Sequence, residues 1–225
     1  MARERFEQEM KRLAERVLEL GGLAEAALRD SVSALERQDI EKARALIEAD
    51  HQINVMRFEL EHEAIMLIAT QQPVAVDLRA LAAVFEIATE LERIADYAKG
   101  IATITVSLGA GPRLRPPADL SRMAEVACSM LDRALQAYLR GDAREARAIP
   151  EEDDRVDTLY EGVYRQLMGR LLVDPRDIDQ ALRMTWVAHN LERVADRVGN
   201  ICERVVFWVT GSVEEMTDDS GPHRA

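Results

Sequence analysis

The chain is poor in the residues that sheets and stapled folds are made from. Aromatics are 4% of its 225 residues, with 11 Gly and 7 Pro. A β-rich fold needs more aromatics and more turn residues. There are two cysteines, Cys128 and Cys202, far apart and in no metal-ligand spacing. They read as small apolar core residues in a reducing compartment. No apolar run approaches the roughly 18 residues that cross a bilayer, and the dense charge from Met1 to Arg12 argues against a signal peptide. An excess of basic residues is also missing: 41 acids face 29 Lys plus Arg, a net charge of -12. Such a chain repels nucleic-acid phosphates and bare anionic membranes. The expected protein is cytoplasmic, has no nucleic-acid partner, and meets a membrane only through other proteins.

What is present is helical patterning. The composition is 48% hydrophobic and 31% charged. Phe6, Met10, Leu13, Val17, Leu20, Ala24 and Ala27 step by fours and threes, the seam of a helix packed lengthwise. That helix runs to about Glu36, with Gly21-Gly22 marking either a close helix approach or a bend. Asp39 caps a second helix that ends near Thr70, before Pro73. A third runs from Val74 or Asp77 to Val106. Residues 109–118 are dense in Gly and Pro and read as a linker. Asp119 then caps a fourth helix closed by Gly141, and Asp142 with Glu145 forms a capping box for a fifth. Pro150 should kink or break that fifth helix. Pro175 opens a sixth, ending near Thr210, and residues 212–225 read as a disordered tail.

The pattern restarts because it is a repeat. Leu91-Glu-Arg-Ile-Ala-Asp96 returns as Leu191-Glu-Arg-Val-Ala-Asp196, an offset of 100, while Asp39, Asp50 and Asn54 align with Asp142, Asp153 and Asp157 at 103. The expected fold class is all-α, two pseudo-symmetric three-helix bundles, over 1–108 and 119–211.

Within the repeats, Glu92 and Asp96 lie four apart and share a helix face. Acid pairs at this spacing arise often by chance in so acidic a chain. Glu86 and Glu90 form one, but their repeat partners are Trp186 and Asn190, so that pair is discounted. Glu92/Asp96 passes the same test, because Glu192/Asp196 recurs in identical context. Asp153/Asp157, and the weaker Asp50/Asn54, supply a second face in each repeat. Carboxylates converging from two helices suit a hard cation. The alternative is that Arg93 and Arg193 merely pair with them as surface ion pairs. Glu48 to His51 and Glu59 to His62 each spell Glu-x-x-His, the motif of di-iron bundles. Such sites need it on two facing helices; here both copies share one helix and do not repeat. No nucleophile-base pair, phosphate-binding loop or paired CxxC is present.

Taken together, these motifs resemble the PhoU family of phosphate-regulon proteins. The resemblance rests on the doubled Leu-Glu-Arg-[Ile/Val]-Ala-Asp, Gly21-Gly22, Ala49-Asp50, Asp77-Leu78-Arg79, Tyr160-Glu161-Gly162, Asn200-Ile-Cys-Glu203 and Phe207-Trp208. It implies a cytoplasmic homodimer that represses the phosphate regulon when phosphate is plentiful. It also implies that the protein links the ATPase subunit of the phosphate ABC transporter to a membrane sensor histidine kinase. Divalent or ferric metal ions (Mg, Mn, Zn or Fe) would be held by Glu92, Asp96, Glu192, Asp196, Asp153, Asp157 and Asp50, with Asn54 departing from the carboxylate pattern. On that reading, removing Glu192 and Asp196 should release roughly half the metal and leave the chain folded. A metal-free helical scaffold is the rival.

Overall fold

A computed structural model describes residues 2–109 and 114–216. Its elements are α1 (Ala2–Arg37), α2 (Ile40–Gln71), α3 (Val76–Leu108), α4 (Ala118–Arg140), α5 (Ala143–Ala148), a 3-10 turn (Ile149–Glu152), α6 (Asp153–Val173), a second 3-10 turn (Pro175–Asp177) and α7 (Ile178–Thr210). Among the described residues there is no strand. Helices α1, α2 and α3 pack on one another as one bundle, and α4, α6 and α7 as the other.

Local chemistry sets most boundaries. Asp39 accepts from the Lys42 amide at 2.9 Å, and Asp142 accepts from the Arg144 and Glu145 amides at 3.1 and 3.0 Å. These caps satisfy donors that the first turn leaves open. The capping box closes on one side only, because the Glu145 carboxylate turns to Arg133 at 2.8 Å. Asp119 is not a cap: Pro117 holds that position and Asp119 lies in the first turn of α4. Gly141 and Gly211 take positive φ at the ends of α4 and α7, where a glycine carries no Cβ penalty. Pro150 divides the fifth expected helix into α5 and α6, joined by the 3-10 turn, because a proline ring cannot continue the α hydrogen-bond ladder.

The two bundles share one hydrophobic core. They meet through α3 against α7 and α1 against α4, while α2 and α6 are outer helices. Helices α3 and α7 run antiparallel. The Arg79 side chain near the start of α3 donates to the Trp208 carbonyl at the end of α7, and Arg183 near the start of α7 reaches Ser107 at the end of α3. Gly21 marks close approach, not a bend: a Cβ there would collide with the Leu135 side chain of α4, whereas one on Gly22 would meet nothing within 4 Å. Cys128 and Cys202 are buried free thiols, as read from the sequence. Burial pushes them up to about 11 and about 12 respectively, so both stay protonated and inert.

The expected linker and tail lie partly outside the described residues, at 110–113 and 217–225. The rest of each is anchored. The Leu114 amide donates to Gln180 at 2.9 Å, and its side chain enters the core. After Gly211 the chain does not fray at once. Glu214 pairs with Arg147 at 2.7 Å, and the Met216 amide donates to Glu203 at 2.8 Å. The disordered reading of the tail is therefore corrected for residues 212–216, which long-range partners hold down.

Candidate metal centre

Each expected acidic cluster lies in the groove between the outer helix of a bundle and its last helix. In the first bundle α2 supplies Asp50 and Asn54 while α3 supplies Glu92 and Asp96. In the second, α6 supplies Asp153 and Asp157 while α7 supplies Glu192 and Asp196. Spacings of four place each pair on one helix face.

The chemistry of the first groove is that of an ion pair. Asp50 is 6% exposed. Its Oδ2 accepts from Lys99 Nζ at 2.7 Å and from Asn54 Nδ2 at 3.2 Å. The same ammonium stands 3.7 Å from Asp96. The hydrogen bond to Asp50 raises the Lys99 pKa more than any other influence. Burial raises Glu92, and the Asp96 charge adds to that, while Arg57 and Arg93 act the other way. Arg57 also pairs with Glu61, and Arg93 with Glu90 at 3.2 Å.

The second groove holds a concentration of negative charge. Asp153 is the first residue of α6, placed by the break at Pro150, with Asp154 beside it. Asp153 Oδ1 and Glu192 Oε2 are buried oxygens that accept no hydrogen bond. Burial pushes the Asp153 carboxyl up to about 7, helped by the charges of Asp157, Asp196 and Asp154. Burial likewise pushes Glu192 up to about 7, together with Asp196, Asp157 and Asp153 and against Arg193. His189 Nδ1 stands 3.4 Å from Glu192 Oε2. Burial, then Arg193, lowers the imidazole pKa, so at neutral pH it supplies no charge. Arg193 also lies 3.8 Å from Asp196 and donates to the Tyr97 hydroxyl of α3 at 3.5 Å.

Orphaned, desolvated carboxylate oxygens on facing helices fit an oxygen-ligated hard cation, which would restore both to their ionised forms. Among the described residues, no three His, Cys, Asp or Glu side chains are yet arranged to hold one ion. A cation would have to gather them by side-chain rotation within the groove. The first groove fits poorly, because an ammonium already neutralises its buried carboxylate. His51, His62, Glu48 and Glu59 are all exposed on outer helix α2, so the di-iron arrangement is not built there.

Three residues escaped the sequence reading. Lys99 aligns with Gly199 at the offset of 100, and Arg57 with Tyr160 at 103; comparing cations as well as acids across the repeat would have found both. Glu90 was discounted, yet it is 9% exposed and accepts from Arg197 at 3.4 Å and Asn200 at 3.3 Å across the bundle interface.

The family model described as the PhoU domain matches twice, at residues 17–105 and 120–205. The phosphate-specific transport system accessory protein PhoU of Serratia marcescens is 35% identical, over 96% of this chain and 89% of its own length. The protein of the same name from Escherichia coli K12 is 34% identical, over 92% and 86%. The crystal structure of PhoU from Pseudomonas aeruginosa superposes with a TM-score of 0.84 at 32% identity, covering 92% of this chain and all of that one. The phosphate transport system regulatory protein PhoU from Streptococcus pneumoniae gives 0.86 at 30%, over 93% and 99%. Matched in both repeats, by sequence and by fold, the chain belongs to the PhoU family.

Proposed function

We propose that this chain is a metal-binding, cytoplasmic adaptor that negatively regulates the phosphate regulon and phosphate uptake. It links the ATPase subunit of the phosphate ABC transporter to a sensor histidine kinase and acts as a homodimer. The observation that carries the reading is the doubled family match, whose relatives are named as accessory proteins of the phosphate-specific transport system. Two features support it. No described helix is long and apolar enough to cross a membrane, so contact with membrane proteins would be made at their cytoplasmic portions. Two pseudo-symmetric bundles also present two comparable long faces, one for each partner. Residues Asp153, Asp157, Glu192 and Asp196 are the proposed metal ligands. Glu92, Asp96, Asp50 and Asn54 hold the equivalent places in the first bundle.

Deleting the gene tests this directly. Phosphate-starvation genes should switch on in phosphate-rich medium and phosphate uptake should rise. The purified protein should retain the transporter ATPase or the kinase. Silent starvation genes, with neither partner retained, would leave the metal-free scaffold as the better account.

A further inference from the structure

We infer that the first groove carries its own cation, the Lys99 ammonium, and that metal binding belongs to the second groove alone. The inference rests on the metal-binding reading above and divides it between two sites that the repeat makes look equivalent.

The argument is a residue-by-residue comparison across the repeat. Where the first groove has Lys99, the second has Gly199. Where the first has Arg57, whose charge lowers the pKa of Glu92, the second has Tyr160. His51 and Asn54 of the first are replaced by Asp154 and Asp157. Each of these exchanges makes the second groove more negative or less positive; Gln52 to Arg155 goes the other way, but Arg155 pairs with Glu152 at 3.4 Å. Arg93 and Arg193 are common to both.

The geometry agrees. Lys99 Nζ lies between Asp50 of α2 and Asp96 of α3 at 2.7 and 3.7 Å, so the carboxylates of the two helices already share a cation. Asn54 points its amide donor at the same Asp50 oxygen, so a metal ion approaching from that side meets N–H and not an oxygen. A hard cation in the first groove must displace an ammonium from a buried carboxylate and turn an amide around. Both grooves hold a carboxylate oxygen that accepts no hydrogen bond, Asp50 Oδ1 in the first and Asp153 Oδ1 and Glu192 Oε2 in the second. In the second, however, no lysine ammonium has to be displaced, because Gly199 stands in the place of Lys99.

The test uses the full-length protein, stripped with a chelator, reloaded with Mn2+ and counted by elemental analysis and by electron paramagnetic resonance of bound Mn2+. The expected result is that Glu192→Ala/Asp196→Ala retains under a tenth of the wild-type Mn2+, while Glu92→Ala/Asp96→Ala retains nearly all of it. Lys99→Ala should bind additional Mn2+, up to about twice the wild-type amount if the two grooves then have equal capacity. Its melting temperature, lowered without metal, should recover on adding Mn2+. Should Lys99→Ala fail to fold, the two carboxylate variants decide the matter in the native background. Loss of about half the Mn2+ in each would overturn the inference and leave the metal-binding reading intact. Absence of bound Mn2+ from every protein would overturn both.

Discussion

The two bundles are built from the same helices in the same order, yet they neutralise their buried acids in different ways. In the first, Asp50 is buried against Lys99, and Glu90 against Arg197 and Asn200 of the other bundle. In the second, Asp153 and Glu192 are half-buried and Gly199 stands where Lys99 would be. Each bundle nonetheless keeps at least one carboxylate oxygen that accepts nothing, Asp50 Oδ1 in the first and Asp153 Oδ1 and Glu192 Oε2 in the second. Packing alone does not require the difference, since Leu91 and Leu191, Ile94 and Val194, and Ala95 and Ala195 are equally buried. The repeat preserves the apolar seam and the backbone position of the carboxylates. What diverges is the cation opposite them. A burial pattern therefore shows where a charge sits without showing what balances it.

The largest expected effect comes from the interface between the bundles. Glu90→Ala removes a buried acceptor and leaves Arg197, whose side chain is 16% exposed, facing Asn200 without it. Breaking a buried pair by removing one partner costs about 3 kcal/mol, or roughly 6–12 °C in melting temperature for a chain of this size. Asn190→Ala, at the matching position of the other repeat, removes no charge and should cost less than about 1 kcal/mol. Equal losses in thermal melts by circular dichroism would mean that the interface is symmetric after all.

The second comparison is one of sign. Asp50→Asn deletes the charge that Lys99 pairs with and should destabilise the protein by about 1–2 kcal/mol, moderated by the partial exposure of Lys99. Asp153→Asn, in metal-free buffer, deletes a desolvated charge that repels its neighbours. It should stabilise by about 1 kcal/mol. Urea unfolding measures both, and the same sign for both would remove the distinction between the grooves.

The sequence makes the fold legible because the signals that specify it are local. The seam from Phe6 to Ala24, the Asp39 and Asp142 caps, the break at Pro150 and the glycines after α4 and α7 each act within a turn or two. The placement of Asp50 and Glu92 in one groove, and of Asp153 and Glu192 in another, was legible from spacing and repetition. The partners of those acids were not. Lys99 is 49 residues from Asp50, and Asn200 is 110 from Glu90, and nothing in a helical period encodes such pairings. Glu90 shows the cost of using symmetry as a filter. Across an antiparallel pseudo-symmetric interface, a residue in one repeat can be satisfied by a different position in the other, so Glu90 needs no acidic counterpart at 190. The anchoring of residues 212–216 was hidden for the same reason, since Arg147 and Glu203 are far away in the chain.

The smallest effect concerns pH and follows from the desolvated carboxyls of Asp153 and Glu192 in the second groove. Asp153 and Glu192 hold their protons up to about pH 7 in the folded chain, against 3.8 and 4.5 ordinarily. Between those limits the folded state keeps protons that the unfolded chain has released. Stability from these two groups is therefore fully present below about pH 4 and is lost as pH rises through 7. The two carboxyls are close enough to titrate as a pair, so the loss should spread over several pH units. Metal-free wild type should lose about 1 kcal/mol between pH 5 and 8 relative to Asp153→Asn/Glu192→Gln, a modest figure because both side chains keep some contact with water. Glu92→Gln should change the slope less, because Arg57 and Arg93 already favour the Glu92 carboxylate. Saturating Mn2+ should flatten the wild-type curve, since a bound cation holds both groups ionised at neutral pH. Parallel curves for wild type and the double variant, from chemical denaturation at each pH, would mean that the second groove is as well neutralised as the first.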